Sequence, residues 1–221
     1  MREFGLVFIL VLVVAPLAGR AESPFGDAPS VDGPVLTNRR LTAIAGIVLY
    51  ALLVAIAVTV VDIRRFLIEH YLVGFLLIPP VMLKLGSTGY RLLRYYSGSR
   101  PFRIAGAPPP ILRFLVAPVL VVSTAAVFVT GLELWFFGLE FGSLWVSLHT
   151  LSALVMLAAV AAHLLAHTRL SAQAFASEVV ARRREDRSPR SIVVAALVFG
   201  AALAVASLLY ASPFTASFVG D

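Results

Sequence analysis

Five stretches of this chain are apolar for too long to be hidden in a water-soluble core: residues 41–61, 71–90, 110–137, 144–167 and 192–210. Each is about as long as the ~20 residues a helix needs to cross a hydrocarbon layer. A sixth block, residues 4–18, is shorter. Inside hydrocarbon the backbone must bond within its own segment, so runs of this length are helices. A barrel strand would alternate apolar and polar residues over segments of about ten, and these blocks do not alternate. The expected fold class is all-α: a polytopic membrane helix bundle with a four-helix core, a C-terminal span and a short N-terminal hydrophobic segment.

Composition narrows the function. Of 221 residues, 60% are hydrophobic and 14% charged, against about 45–50% and 25% in soluble domains. There is no cysteine, which excludes a disulfide scaffold and any thiolate-held zinc or iron–sulfur centre. The net charge of +6 would point to nucleic acid in a soluble protein. Here the cations sit between the apolar blocks, where they face lipid and cytoplasm instead. No nucleic-acid partner is expected. No Ser-His-Asp set, Gly-rich phosphate loop or HExxH is present, and the interior acids of a proton-coupled carrier are few.

The expected organisation is a hydrophobic segment at 1–21, a four-helix core at 38–168, a basic cytoplasmic loop at 169–190 and a last span at 191–212. Ser97-Gly98-Ser99-Arg100-Pro101 and residues 106–110 mark a breaker-rich loop, and Pro110 suits a first helical turn. Pro79-Pro80 falls inside the second long block, where it must loosen the helix and free carbonyls one turn earlier. Arg20, Arg39, Arg40, Lys84, Arg91, Arg94, Arg100, Arg103, Arg113, Arg169, Arg182, Arg183, Arg184, Arg187 and Arg190 share one side, and only Arg64 and Arg65 hold the other. Fifteen cations against two place the first set in the cytoplasm, in an inner (plasma) membrane. The N-terminus points the other way: residues 4–18 before Gly19-Arg20-Ala21 read as a signal peptide or as an extra span.

Four histidines, His70, His149, His163 and His167, all lie in or at the ends of spans. Ionisable groups at such depth are costly and usually mark a function. His149 and His163 are 14 residues apart, which is nearly four whole turns and about 21 Å along the axis. His167 follows one turn later on the same stripe. His70 and His149 each open a span on the non-cytoplasmic side, so they can meet at one depth. Two imidazoles at equal depth on different helices are what a six-coordinate haem iron requires. Gly74, Ser152 and Ala153, one turn from these histidines, leave room for a flat macrocycle, as Gly46 and Gly131 do on other spans. Other readings stay open: hydrogen-bonding structural histidines, or a metal chelated by the His163/His167 pair.

This arrangement resembles the cytochrome b membrane subunits of nickel-iron hydrogenases and formate dehydrogenases over roughly residues 38–168. The resemblance implies a four-helix bundle in which the fourth helix gives one ligand to each of two haems, from histidines 14 apart. His149 and His163 match that spacing, and His70 matches the second-helix partner of the outer haem. The first-helix ligand of the other haem is missing, since residues 41–61 contain no histidine. The resemblance therefore implies haem b at His70 and His149, with the second haem's ligand set incomplete. It also implies electron transfer between quinone or another membrane donor and a redox partner protein.

Lys84, Arg91, Arg94, Tyr95 and Tyr96 read as snorkelling cations and an interfacial aromatic belt. Alternatively, Lys84 and Arg91 pair an anion, a haem propionate or a quinone head group near the cytoplasmic face. Glu133 beside Trp135 reads as an interfacial carboxylate or a proton relay. The second function class is non-redox: an anchor or assembly subunit tying a soluble partner to the bilayer.

Overall fold

The computed structural model describes residues 33–106, 110–180 and 188–215 with Leu6 and Leu10, and side chains throughout these except at 165–180. Helix α1 is Gly33–Val61, α2 Leu67–Tyr96, and α3 the single turn and a half Arg100–Ile104. A π-helical turn, Leu112–Val116, leads into α4, Ala117–Phe137; α5 is Leu144–Val180 and α6 Ser188–Ser207. No strand occurs among the described residues. Five of these helical stretches are long and apolar enough to cross a membrane. The protein is a multi-pass helical bundle.

Helices outrun the apolar blocks that seeded them. α1 starts at Gly33 and not at 41. α5 runs to Val180, so the stretch expected as a loop from 169 is helical over its first half. No Gly or Pro interrupts residues 165–180, and extending an existing helix adds one hydrogen bond per residue ordered. Pro101, expected within a loop, occupies the first turn of α3, where its missing N–H costs no bond. The hydrophobic segment 1–21 lies outside the described residues apart from Leu6 and Leu10, as does the arginine run at 182–187.

Two sub-assemblies make the bundle. α2 packs closely on both α1 and α6, and α4 packs closely on α5; the two groups touch only lightly, through α1 with α5 and α2 with α4. Large apolar side chains such as Leu93, Val122, Val198 and Leu209 point outward, as lipid-facing residues do. Buried positions instead include Asn38, Thr59, Ser87, Ser123, Thr130 and Ser207. Their burial is affordable because hydroxyls bond back to carbonyls one turn earlier, as Ser123 does to Val119 O and Ser207 to Ala204 O.

The double proline is accommodated by contact. Pro80 has no N–H to offer the carbonyl of Leu76. That oxygen faces Gly200 of α6, where a Cβ would stand 2.6 Å from it. The glycine hydrogen in that direction is thus turned onto the freed oxygen, a Cα–H···O contact. Val193, Gly200, Ala204 and Ser207 form the buried stripe of α6, a small-residue face that permits such close backbone approach.

The C-terminal end of α4 is closed by the chain that follows α6. Tyr210 donates its hydroxyl to Phe136 O at 2.8 Å, and Ser212 donates to Trp135 O at 2.8 Å. Both satisfy carbonyls that a helix end leaves without partners.

Candidate functional site

His70 lies in the first turn of α2, its N–H bonded to Phe66 O at 2.8 Å, and His149 lies in the second turn of α5. The rings meet across the line where the two sub-assemblies touch lightly. Their centroids are 6.3 Å apart and their planes cross at 83°. Helices that start on the same side of the bundle present these two residues at one depth.

The hydrogen bonds assign both tautomers. His70 Nδ1 lies 2.9 Å from Thr59 Oγ1, and that hydroxyl already donates its proton to Ile56 O at 2.6 Å. The threonine oxygen can only accept, so Nδ1 carries the proton. His149 Nδ1 lies 3.1 Å from Val127 O, which can only accept. It is also 3.1 Å from Thr130 Oγ1, whose proton goes to Ala126 O at 2.6 Å. Each imidazole is therefore held as the Nδ1–H form, with an unprotonated Nε2 as a lone-pair donor. A ring nitrogen tied to an oxygen acceptor while the other stays basic is the support that metal-ligating histidines use.

The dimensions suit one metal atom between the rings. With each ring nitrogen at about 2.0 Å from the metal, the ring centres must lie roughly 6 Å apart, as they do here. Among the described residues no group of three or more His, Cys, Asp or Glu is gathered. Gly74, one turn past His70, has open space where a side chain would be. Gly131 has none: a Cβ there would be 3.0 Å from His149 Cε1. The absence of a side chain at Gly131 lets the imidazole lie against α4. Gly131→Ala should displace that ring while keeping the imidazole, and any haem that His149 helps to hold would then be retained less well, which haem titration of the purified variant would measure.

One turn nearer the same end of the bundle, Leu67, Leu134 and Phe214 form a buried cluster with Ile63, Tyr71, Trp145 and Val146 around it. These residues pack at the end of the bundle next to the histidine pair.

The remaining candidates lie elsewhere. His163 sits 14 residues along α5, about 21 Å deeper, between Val160 and Leu164, which pack towards Ala57 of α1. The side chain of His167 is outside the described set. Arg91 is 21 residues past His70, about 31 Å along α2, and its Nη2 donates to Gly106 O at 3.2 Å. It braces the loop at the end of α2 far from His70, towards the end of the bundle that carries His163. Lys84 does not snorkel outward as expected; its Nζ turns into the α1–α2 seam and donates to Thr42 O at 2.6 Å. The carboxylate oxygens of Glu133 have no hydrogen-bond partner among the described residues. Sequence reasoning missed Thr59, Thr130 and the Val127 carbonyl, which set the imidazoles' tautomers.

No family model, no curated protein and no solved structure matches the chain.

Proposed function

We propose that this protein is a b-type cytochrome of the cell's inner (plasma) membrane that holds one haem between His70 and His149 and carries electrons between a membrane donor such as quinone and a redox partner protein. The observation that carries the reading is the facing pair of Nδ1–H imidazoles, 6.3 Å apart, each from a different sub-assembly. When bound, haem supplies a one-electron carrier whose potential the protein tunes. The chain's own work is to hold it and shape its surroundings. His70 and His149 offer their Nε2 lone pairs. Thr59, Thr130 and the Val127 carbonyl fix the rings and, by accepting from Nδ1–H, make Nε2 the stronger donor. The Leu67, Leu134 and Phe214 cluster excludes water from one end, which lowers the local dielectric.

The test is the absorbance of purified protein in detergent, oxidised and then reduced. Soret and α bands with pyridine-haemochrome stoichiometry near one support the reading. No bands after haem supplementation would sink it and favour the anchor subunit instead. Thr59→Val and Thr130→Val each remove an acceptor while keeping the ligand. Each should weaken haem affinity by about 10–100-fold yet keep a low-spin spectrum at saturating haem, read by haem titration.

A further inference from the structure

Lys84 occupies a position that its own chemistry does not explain. It lies 14 residues past His70, about 21 Å along α2, so it nears the opposite face of a layer about 30 Å thick. Its Nζ bonds to Thr42 O. Thr42 and Gly46 are one turn apart on α1, and a Cβ on Gly46 would stand 2.9 Å from Nζ. The glycine is a notch cut for the ammonium. Lys84 has no carboxylate within ion-pair distance among the described residues.

The neighbouring polar groups are already committed to one another. Asn38 Nδ2 donates to Ser87 O at 3.2 Å, Ser87 Oγ donates to Lys84 O at 3.0 Å, and Thr42 Oγ1 lies 3.0 Å from Ser87 Oγ. Asn38 and Ser87 are buried. The network fixes the seam's shape but neutralises no charge. Towards the cytoplasmic end by the loop charges, Arg91 follows Lys84 by two turns, and Arg39 of α1 lies close enough to act on its charge. Arg39 and Arg91 thus lie near one another at the end of the seam, about 10 Å along α2 from Lys84. Lys84 is half-buried with one neutral acceptor, and an ammonium in such surroundings is unfavourable unless an opposite charge meets it. Two of its three N–H groups have no acceptor among the described residues.

We propose that the α1–α2 seam binds a phosphate-class oxyanion at Lys84, with Arg91 and Arg39 at its mouth. The ammonium supplies a point charge and the guanidinium groups supply planar donors matched to phosphate oxygens. The phosphate belongs either to an anionic phospholipid of the adjoining leaflet or to a soluble anion. The site is separate from the histidine pair and does not depend on haem.

Full-length protein in phosphatidylcholine nanodiscs tests this, with either phosphatidylglycerol as a minor lipid or inorganic phosphate in the buffer. Bound ligand is read by native mass spectrometry and phosphorus NMR. Wild type should retain one of the two. Lys84→Met should weaken retention about tenfold or more, the loss expected for one charge-assisted hydrogen bond. Gly46→Ala keeps the lysine but pushes its Nζ out of the notch, and should weaken binding as well. Arg94→Gln, exposed on the same helix, should leave it unchanged. Retention of phosphatidylglycerol alone identifies a lipid site, and retention of inorganic phosphate alone a soluble-anion site. Equal retention by Lys84→Met and wild type overturns the proposal, and so does failure of wild type to bind either probe. Haem content measured on the same samples should not move with Lys84→Met, which keeps this outcome distinct from the fate of the cytochrome reading.

Discussion

Alanine at either residue 70 or residue 149 should strip the purified protein of pigment. Under the cytochrome reading, each of these imidazoles would be one of the two side chains that hold the cofactor. The loss should exceed the roughly 10–100-fold expected for a supporting hydrogen bond. Neither substitution removes a large packed side chain from a core, as both imidazoles are only partly buried, so the variants should still elute as folded, monodisperse protein. His163→Ala is the control. About 21 Å further along α5, that residue lies too far off to touch the same metal, and its variant should keep the pigment assigned to the facing pair. Equal pigment in wild type and His149→Ala would remove the cytochrome assignment, whatever the spectrum of wild type looks like.

The second large effect is expected at Gly200. A methyl group there would stand 2.6 Å from Leu76 O, well inside contact distance, so α6 must retreat from α2 to admit it. Alanine favours a helix over glycine by about 1 kcal/mol, while overpacking costs about 1–3 kcal/mol. For alanine the helix gain offsets part of this cost, leaving a net loss of up to about 2 kcal/mol. Gly200→Leu carries no larger helix bonus and far more bulk. It should lower the thermal midpoint in detergent markedly and separate α6 from α2, leaving the oxygen freed by Pro80 without its contact. Ala201→Leu, exposed on the other side of α6, should leave the midpoint near wild type. If Gly200→Leu melts like wild type, the close helix crossing plays no part in stability.

Much of the architecture could be read from the sequence because hydrocarbon allows so few alternatives. Runs such as residues 144–167 have to be helices, and their number follows from counting. Where each helix stops could not be read in the same way: α5 continues past its apolar block because nothing in residues 165–180 breaks it. The common depth of His70 and His149 was legible too, since both follow a loop on the same side. Their supporting residues were not. Thr59 and Thr130 lie on helices whose apolar character is nearly uniform around the axis, so no hydrophobic face fixes how each helix is turned towards its neighbours. Lys84 failed for a related reason. Snorkelling is the default for a lysine near a span end, and only the register of α1 against α2 reveals that Gly46 makes room for it.

The Leu67, Leu134 and Phe214 cluster has a consequence for biogenesis. His70, His149 and their threonine partners are all translated by residue 149, whereas Phe214 and the Ser212 hydroxyl that anchors its segment to α4 come after the last span. On a growing chain, Leu67 and Leu134 therefore lack Phe214 beside them until that final stretch leaves the ribosome and folds back. Under the cytochrome reading, the order of synthesis leaves a window in which haem would reach the two imidazoles before Phe214 packs at that end of the bundle.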